Sequence, residues 1–153
     1  MTYAARLNDL GIGLPAVVPP VASYVSTVLS GNMLYVSGQL PVLDGHMIKG
    51  HLGRDVTLEQ GQDAAKRCAL NILAQVSAAL DGNLERIERC VKLTGFVACT
   101  PDFTDHSKVI NGASDLMVAV LGDNGKHARA AVGVSALPLG AAVEVEAVFA
   151  LYD

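Results

Sequence analysis

The chain has 153 residues, 51% hydrophobic and 17% charged, with 11 basic against 15 acidic side chains and a net charge of -4. That is the length of one domain, and an acidic chain without a basic run is a poor phosphate neutraliser, which sets nucleic-acid binding aside. Mean hydropathy is +0.38, yet the longest apolar run, residues 116–121, is far below the roughly 18 residues a bilayer span needs, so burial between subunits is the expected reason for the excess.

Residues 1–20 read as an arm. Residues 4–10 can form a short helix, which Gly11, Gly13, Pro15, Pro19 and Pro20 prevent from continuing. Such an arm either lies against another subunit or hangs loosely, and the division is drawn as an arm over 1–16 and one domain over 17–153. Residues 24–29 and 33–37 flank Ser30-Gly31-Asn32 and predict a hairpin. Gly38 and Pro41 then break the pattern, and residues 43–55 read as a loop with a short edge ribbon.

Thr57-x-x-Gln60 fits a capping box. Leu58, Ala65, Cys68, Ala69, Ile72, Val76, Ala79 and Leu80 follow at three- and four-residue spacings, one apolar face of a helix that Asp81-Gly82 ends. Residues 90–99 form a β-rich, apolar candidate central strand, and a second helix is expected from about Phe103 to Leu121. Two strands close the chain, residues 129–137 and 143–152, joined through Pro138-Leu139-Gly140. Two helices on one face of a mixed sheet make an α+β domain whose other face needs a partner.

The three cysteines, Cys68, Cys90 and Cys99, lack C-x-x-C spacing and read as buried free thiols in a reducing compartment. With no apolar signal-peptide core at the N-terminus, the cytoplasm is the expected location. His46, His51, His106 and His127 are not spaced as metal ligands, and no phosphate-binding glycine loop is present. Neither metal nor cofactor is expected.

Arg129 opens an apolar strand rich in Ala and Gly. Its guanidinium fork suits a carboxylate lying above those small side chains, although an edge arginine in a surface ion pair would look the same. Glu144 and Glu146 alternate with Val143 and Val145, so both point to one sheet face. That face is either solvated or a pocket in which a carboxylate acts as base.

Several segments taken together resemble the reactive-intermediate deaminase family, also called Rid or YjgF-like and often labelled "endoribonuclease L-PSP". They are Tyr24, the run Gly31-Asn32-Met33-Leu34-Tyr35-Val36-Ser37-Gly38-Gln39-Leu40-Pro41, Ala128-Arg129, Leu137-Pro138 and Val143-Glu144-Val145-Glu146-Ala147. The resemblance covers residues 17–152. It implies a chorismate-mutase-like fold, a homotrimer with the open sheet face buried and helices outside, and clefts between subunits. The implied reaction is cofactor-free hydrolysis of enamines and imines such as 2-aminoacrylate to 2-keto acids and ammonia. By position, Arg129 matches the carboxylate-binding arginine and Glu144 the glutamate that directs water. Tyr24, Ser37 and Asn111 match pocket residues. Ala131 stands where the well-studied branch has a cysteine, leaving only a backbone N–H to contact substrate there. The alternatives are a trimeric protein that binds small carboxylates or keto acids without turnover, favoured by Ala131, and the ribonuclease of the family label, disfavoured by charge.

One geometric expectation is independent of the family. If the last two strands form a hairpin, Glu144 lies opposite about residue 133, and Arg129 is four residues further on, roughly 13 Å away. The two would then meet only in a site completed by another chain.

Overall fold

A computed structural model describes residues 1–20 and 22–153. Strands β1 (Thr27–Ser30) and β2 (Met33–Gln39) form the expected hairpin, with Gly31 at φ 61° in the turn. A small ribbon, β3 (Val42–Leu43) and β4 (His46–Met47), lies in the loop that follows. The rest is α2 (Leu58–Ala79), β5 (Ile87–Ala98), α3 (His106–Leu121), β6 (Ala128–Val134) and β7 (Val143–Leu151). The Thr57–Gln60 capping box is formed, each side chain bonding the other residue's backbone N–H. The last four strands of the sheet order β1-β2-β7-β5-β6 include one parallel pair, β5–β6; all other pairings are antiparallel.

The core lies between this sheet and α2 and α3. Ile72, Leu73, Val76, Val109, Ile110 and Met117 are fully buried against Leu93, Val97, Val143, Val145 and Phe149, each contributing about 1.5–3 kcal/mol of apolar burial. Cys68 and Cys90 are buried core thiols, as expected. Burial pushes the Cys68 thiol well up and raises Cys90 to about 12. Gly112 lets α3 approach α2 so closely that a Cβ there would strike the Gln62 carbonyl.

Four expectations need correction. The N-terminal helix, α1 (Tyr3–Asp9), packs on its own domain and does not hang free. Tyr3 and Leu7 join the core, Glu85 accepts from the Tyr3 N–H at 2.9 Å and Asn124 donates to the Tyr3 hydroxyl at 3.1 Å. The short helix read over residues 4–10 thus belongs to the domain, beside the two expected on the sheet. Leu58, placed on the apolar face by its spacing, is 37% exposed at the first turn of α2. The second helix begins at His106, not Phe103, because residues 100–105 turn back on themselves: Thr100 donates to Asp102 at 2.6 Å, and the Phe103 N–H to the Thr100 carbonyl at 3.1 Å.

The fourth correction concerns β6 and β7, which are not a hairpin. Strand β5 lies between them, parallel to β6 and antiparallel to β7. Hydrogen bonding that β5 offers on both edges places both strands better than a direct turn through Pro138-Leu139-Gly140 would. The sheet's second face carries Val28, Tyr35 and Val132, which are 51%, 48% and 44% exposed. Among the described residues no helix is long and apolar enough to cross a membrane.

Candidate functional site

Register assigns each side chain to a face. Arg129 pairs with Leu93 of β5 and Ala131 with Gly95, so both share the helix-covered face. Arg129 lies half-buried on edge strand β6, and α3 holds its guanidinium. One Nη donates to Asn111 Oδ1 at 2.8 Å and to Ser114 Oγ at 3.1 Å; the other reaches the Ser107 carbonyl at 3.4 Å. Asn111, matched by position to a pocket residue, thus touches Arg129. The surface ion pair is ruled out: among the described residues no carboxylate is within ion-pair distance of Arg129. Three of the five guanidinium N–H groups are engaged, leaving Nε–H and one Nη N–H for a two-pronged carboxylate.

Two residues that the sequence reading passed over complete this cluster. His127 has Nδ1 at 2.6 Å from the Gly125 carbonyl and Nε2 at 2.8 Å from Ser114 Oγ. A carbonyl only accepts, so Nδ1 carries the proton, Nε2 accepts from Ser114, and Ser114 accepts from Arg129. The chain of bonds runs one way and fixes the guanidinium. Ser114 was legible in principle, three residues after Asn111 on the same helix face.

The other predicted residues gather elsewhere. Tyr24, Ser37 and Glu144 line a cleft of about 500 Å³ on the open face, with Gly38, Glu146 and Pro138. Ser37 donates to the Val25 carbonyl at 2.7 Å, fixing the segment that carries Tyr24 along β2. A β-bulge between Val36 and Gln39 sets Gly38 against Glu144, and any Cβ there would run into the carboxylate. Gln75 donates to the carbonyl of Val18, one of the lining residues, at 2.8 Å. Glu144 is half-buried, and burial, then the charge of Glu146, pushes its carboxyl above the usual range.

The two clusters are separated within one chain. Glu144 pairs with Phe96 and Phe96 with Val132, three positions from Arg129. That is roughly 10 Å along the strands and roughly 10 Å across them, on opposite faces. Their separation within one chain, expected from a hairpin, thus arises from a different geometry.

A second cleft, of about 570 Å³, lies at the far end of β6 and is lined by His51, Arg54, Cys99, Phe103, His106 and Gly133, among others. Cys99, read from the sequence as structural, is half-buried there with its sulfur 3.5 Å from His106 Nε2. His51 is tied down, accepting from Arg54 at 2.9 Å and donating to the Ser135 carbonyl at 2.8 Å. Among the described residues no group of three or more His, Cys, Asp or Glu could hold a metal ion.

The family model described as "YjgF/chorismate mutase-like, putative endoribonuclease" matches residues 4–151. The chain belongs to this family. This YjgF-like protein is 53% identical over 150 residues to protein TCP17 of Trypanosoma cruzi, covering 97% of this chain and 93% of that one. It is similar to the crystal structure of a "putative endoribonuclease" from Shewanella oneidensis MR-1, with TM-score 0.95 and 32% identity over 99% of this chain and 100% of that one. It also resembles RidA from the Antarctic bacterium Psychrobacter sp. PAMC 21119, with TM-score 0.60 and 27% identity over 91% and 96% of the two chains. The mixed α+β fold is common to these structures, and the backbone follows the Shewanella protein more closely than RidA.

Proposed function

We propose that this YjgF-like protein hydrolyses small imines and enamines of the 2-aminoacrylate type to 2-keto acids and ammonia, in clefts between the subunits of a homotrimer. The observation that carries the reading is the state of Arg129: a guanidinium fixed by Asn111 and Ser114, with one donor edge open and no carboxylate of its own chain near it. Glu144 supplies the complementary half from a neighbouring copy, which would also cover the apolar face of Val28, Tyr35 and Val132.

In this reading the substrate carboxylate sits on Arg129, with the Ala131 N–H beside it. Tyr24 and Ser37 shape the other wall. The raised carboxyl of Glu144 makes its ionised form a better base than an ordinary glutamate. An enamine first takes a proton on its terminal carbon and becomes the imine. Glu144 takes a proton from water as the oxygen bonds to the imine carbon and returns it to the nitrogen; the hydroxyl proton then passes by the same carboxylate to the amine as the C–N bond breaks, leaving the keto acid and ammonia. Nothing is oxidised or reduced, so the chemistry calls for no redox cofactor.

Ammonia release from 2-aminoacrylate generated in situ tests this: wild type should accelerate it and Arg129→Ala should not. Equal rates would overturn it. The Ala131 methyl favours a second reading, a carboxylate-binding protein without turnover, which would show as saturable 2-keto acid binding with no ammonia release. The ribonuclease in the Shewanella protein's description fits a net charge of -4 poorly.

A further inference from the structure

The cleft that holds Cys99 and His106 is outside both clusters, and its chemistry is that of a thiol and a base. Cys99 follows the last residue of β5 and is pinned there by two backbone bonds: its N–H donates to the Val134 carbonyl at 3.2 Å, and the Ala98 carbonyl before it accepts from Leu52 at 2.9 Å. His106 opens α3, and the Phe103 ring meets the imidazole edge-on at 5.6 Å. The two side chains come from different elements and converge, Sγ to Nε2, at 3.5 Å.

Gly133 keeps them open. A Cβ at that position would lie 2.6 Å from His106 Nε2 and 2.8 Å from Cys99 Sγ, filling the space directly over the pair. Both side chains line a cleft of about 570 Å³ whose other walls include Phe103, Pro101 and Val134 together with the polar His51, Arg54 and Thr100. It is large enough for a small molecule that carries both apolar and polar groups. Partial burial raises the Cys99 thiol above its ordinary range, so unaided it is a weak nucleophile at neutral pH. Reaction there depends on a base within reach of the S–H, and Nε2 is that base when the imidazole proton is on Nδ1.

We propose that Cys99 and His106, beneath the gap left by Gly133, form a nucleophilic thiol–imidazole site for soft carbon electrophiles of the activated-alkene class. The Cys99 sulfur bonds to the β-carbon of an alkene conjugated to a carbonyl. The thiol proton passes to His106 Nε2 and from there to the α-carbon as the double bond becomes single, returning the imidazole to its neutral form. Atoms and electrons balance without an oxidant or further reactant. Cys68 and Cys90 are fully buried and stay out of the reaction.

The test is labelling of the full chain with N-ethylmaleimide, followed by intact mass and peptide mapping from pH 5.5 to 9. One adduct is expected under native conditions, on Cys99, with the rate already high at neutral pH. In His106→Gln the rate at pH 7 should fall at least tenfold and then climb steadily with pH, as for an unassisted thiol. Gly133→Ala should slow labelling by closing the space over the sulfur, with His106 intact. A second readout, the thermal transition, identifies any variant that fails to fold. Cys99 unlabelled in the folded wild type, or labelled in His106→Gln at the wild-type rate and pH dependence, would overturn the proposal.

Discussion

Arg129 sits on an edge strand, on the face that α3 covers, whereas Glu144 sits on the central strand β7, on the face no helix covers. The first is held rigidly by neighbours of its own chain: a one-way chain of hydrogen bonds from the guanidinium through Ser114 and His127 ends on the Gly125 carbonyl. The second has been placed by backbone shape, a bulge in β2 and a missing Cβ at Gly38. The cation is presented with its counter-charge absent. The carboxylate is presented with a like charge, Glu146, beside it. Each region lacks what the other holds, and the sheet between them prevents their meeting within one copy.

The largest effect is expected at the cation. If the open edge of Arg129 holds the ligand carboxylate as proposed, Arg129→Ala removes a two-pronged, charge-assisted contact of about 3 kcal/mol. It should weaken 2-keto acid binding about 100-fold by calorimetry, with the thermal transition little changed. If the region of Glu144 serves chemistry and not binding, Glu144→Gln should lower kcat about 100-fold while 2-keto acid binding stays within about twofold. Loss of binding there would erase the distinction between the two regions. The wild-type kcat should also fall on the acid side with a midpoint above that of an ordinary glutamate, since the base must be ionised and its carboxyl is raised.

A smaller change is expected from the support of the guanidinium. Ser114→Ala deletes one bond of about 1 kcal/mol and should raise the KM three- to fivefold without a matching loss in kcat. The smallest effect is on stability and has the opposite sign to the loss of activity. Glu144 binds its proton more tightly folded than unfolded, so it favours the folded state while protonated and that contribution is lost as pH rises through its raised folded value. Glu144→Gln should therefore raise the Tm by about a degree or two at pH 7, and by nothing measurable near pH 4.

How much of this the sequence disclosed depends on the range of the interaction. The Thr57–Gln60 cap, the Gly31 turn and the apolar stripe of α2 are decided within a few residues, and each was legible. The alternation of Val143, Glu144, Val145 and Glu146 correctly put both carboxylates on one face. The insertion of β5 between β6 and β7 was not legible, because strand order is chosen by partners dozens of residues away. The same limit hid Cys99 and His106, seven residues apart across a turn whose path depends on the loop at Leu52. Asn111 touches Arg129, although nothing in the spacing of that helix required it.

The central claim is that Arg129 of one copy works with Glu144 of another. Mixing Arg129→Ala with Glu144→Gln, each inactive alone, under conditions where subunits exchange tests it most directly. Every mixed three-membered ring has one junction with both native residues, so an equal mixture should recover about a quarter of wild-type ammonia release. No recovery, with mixed oligomers verified by mass, would contradict a shared site.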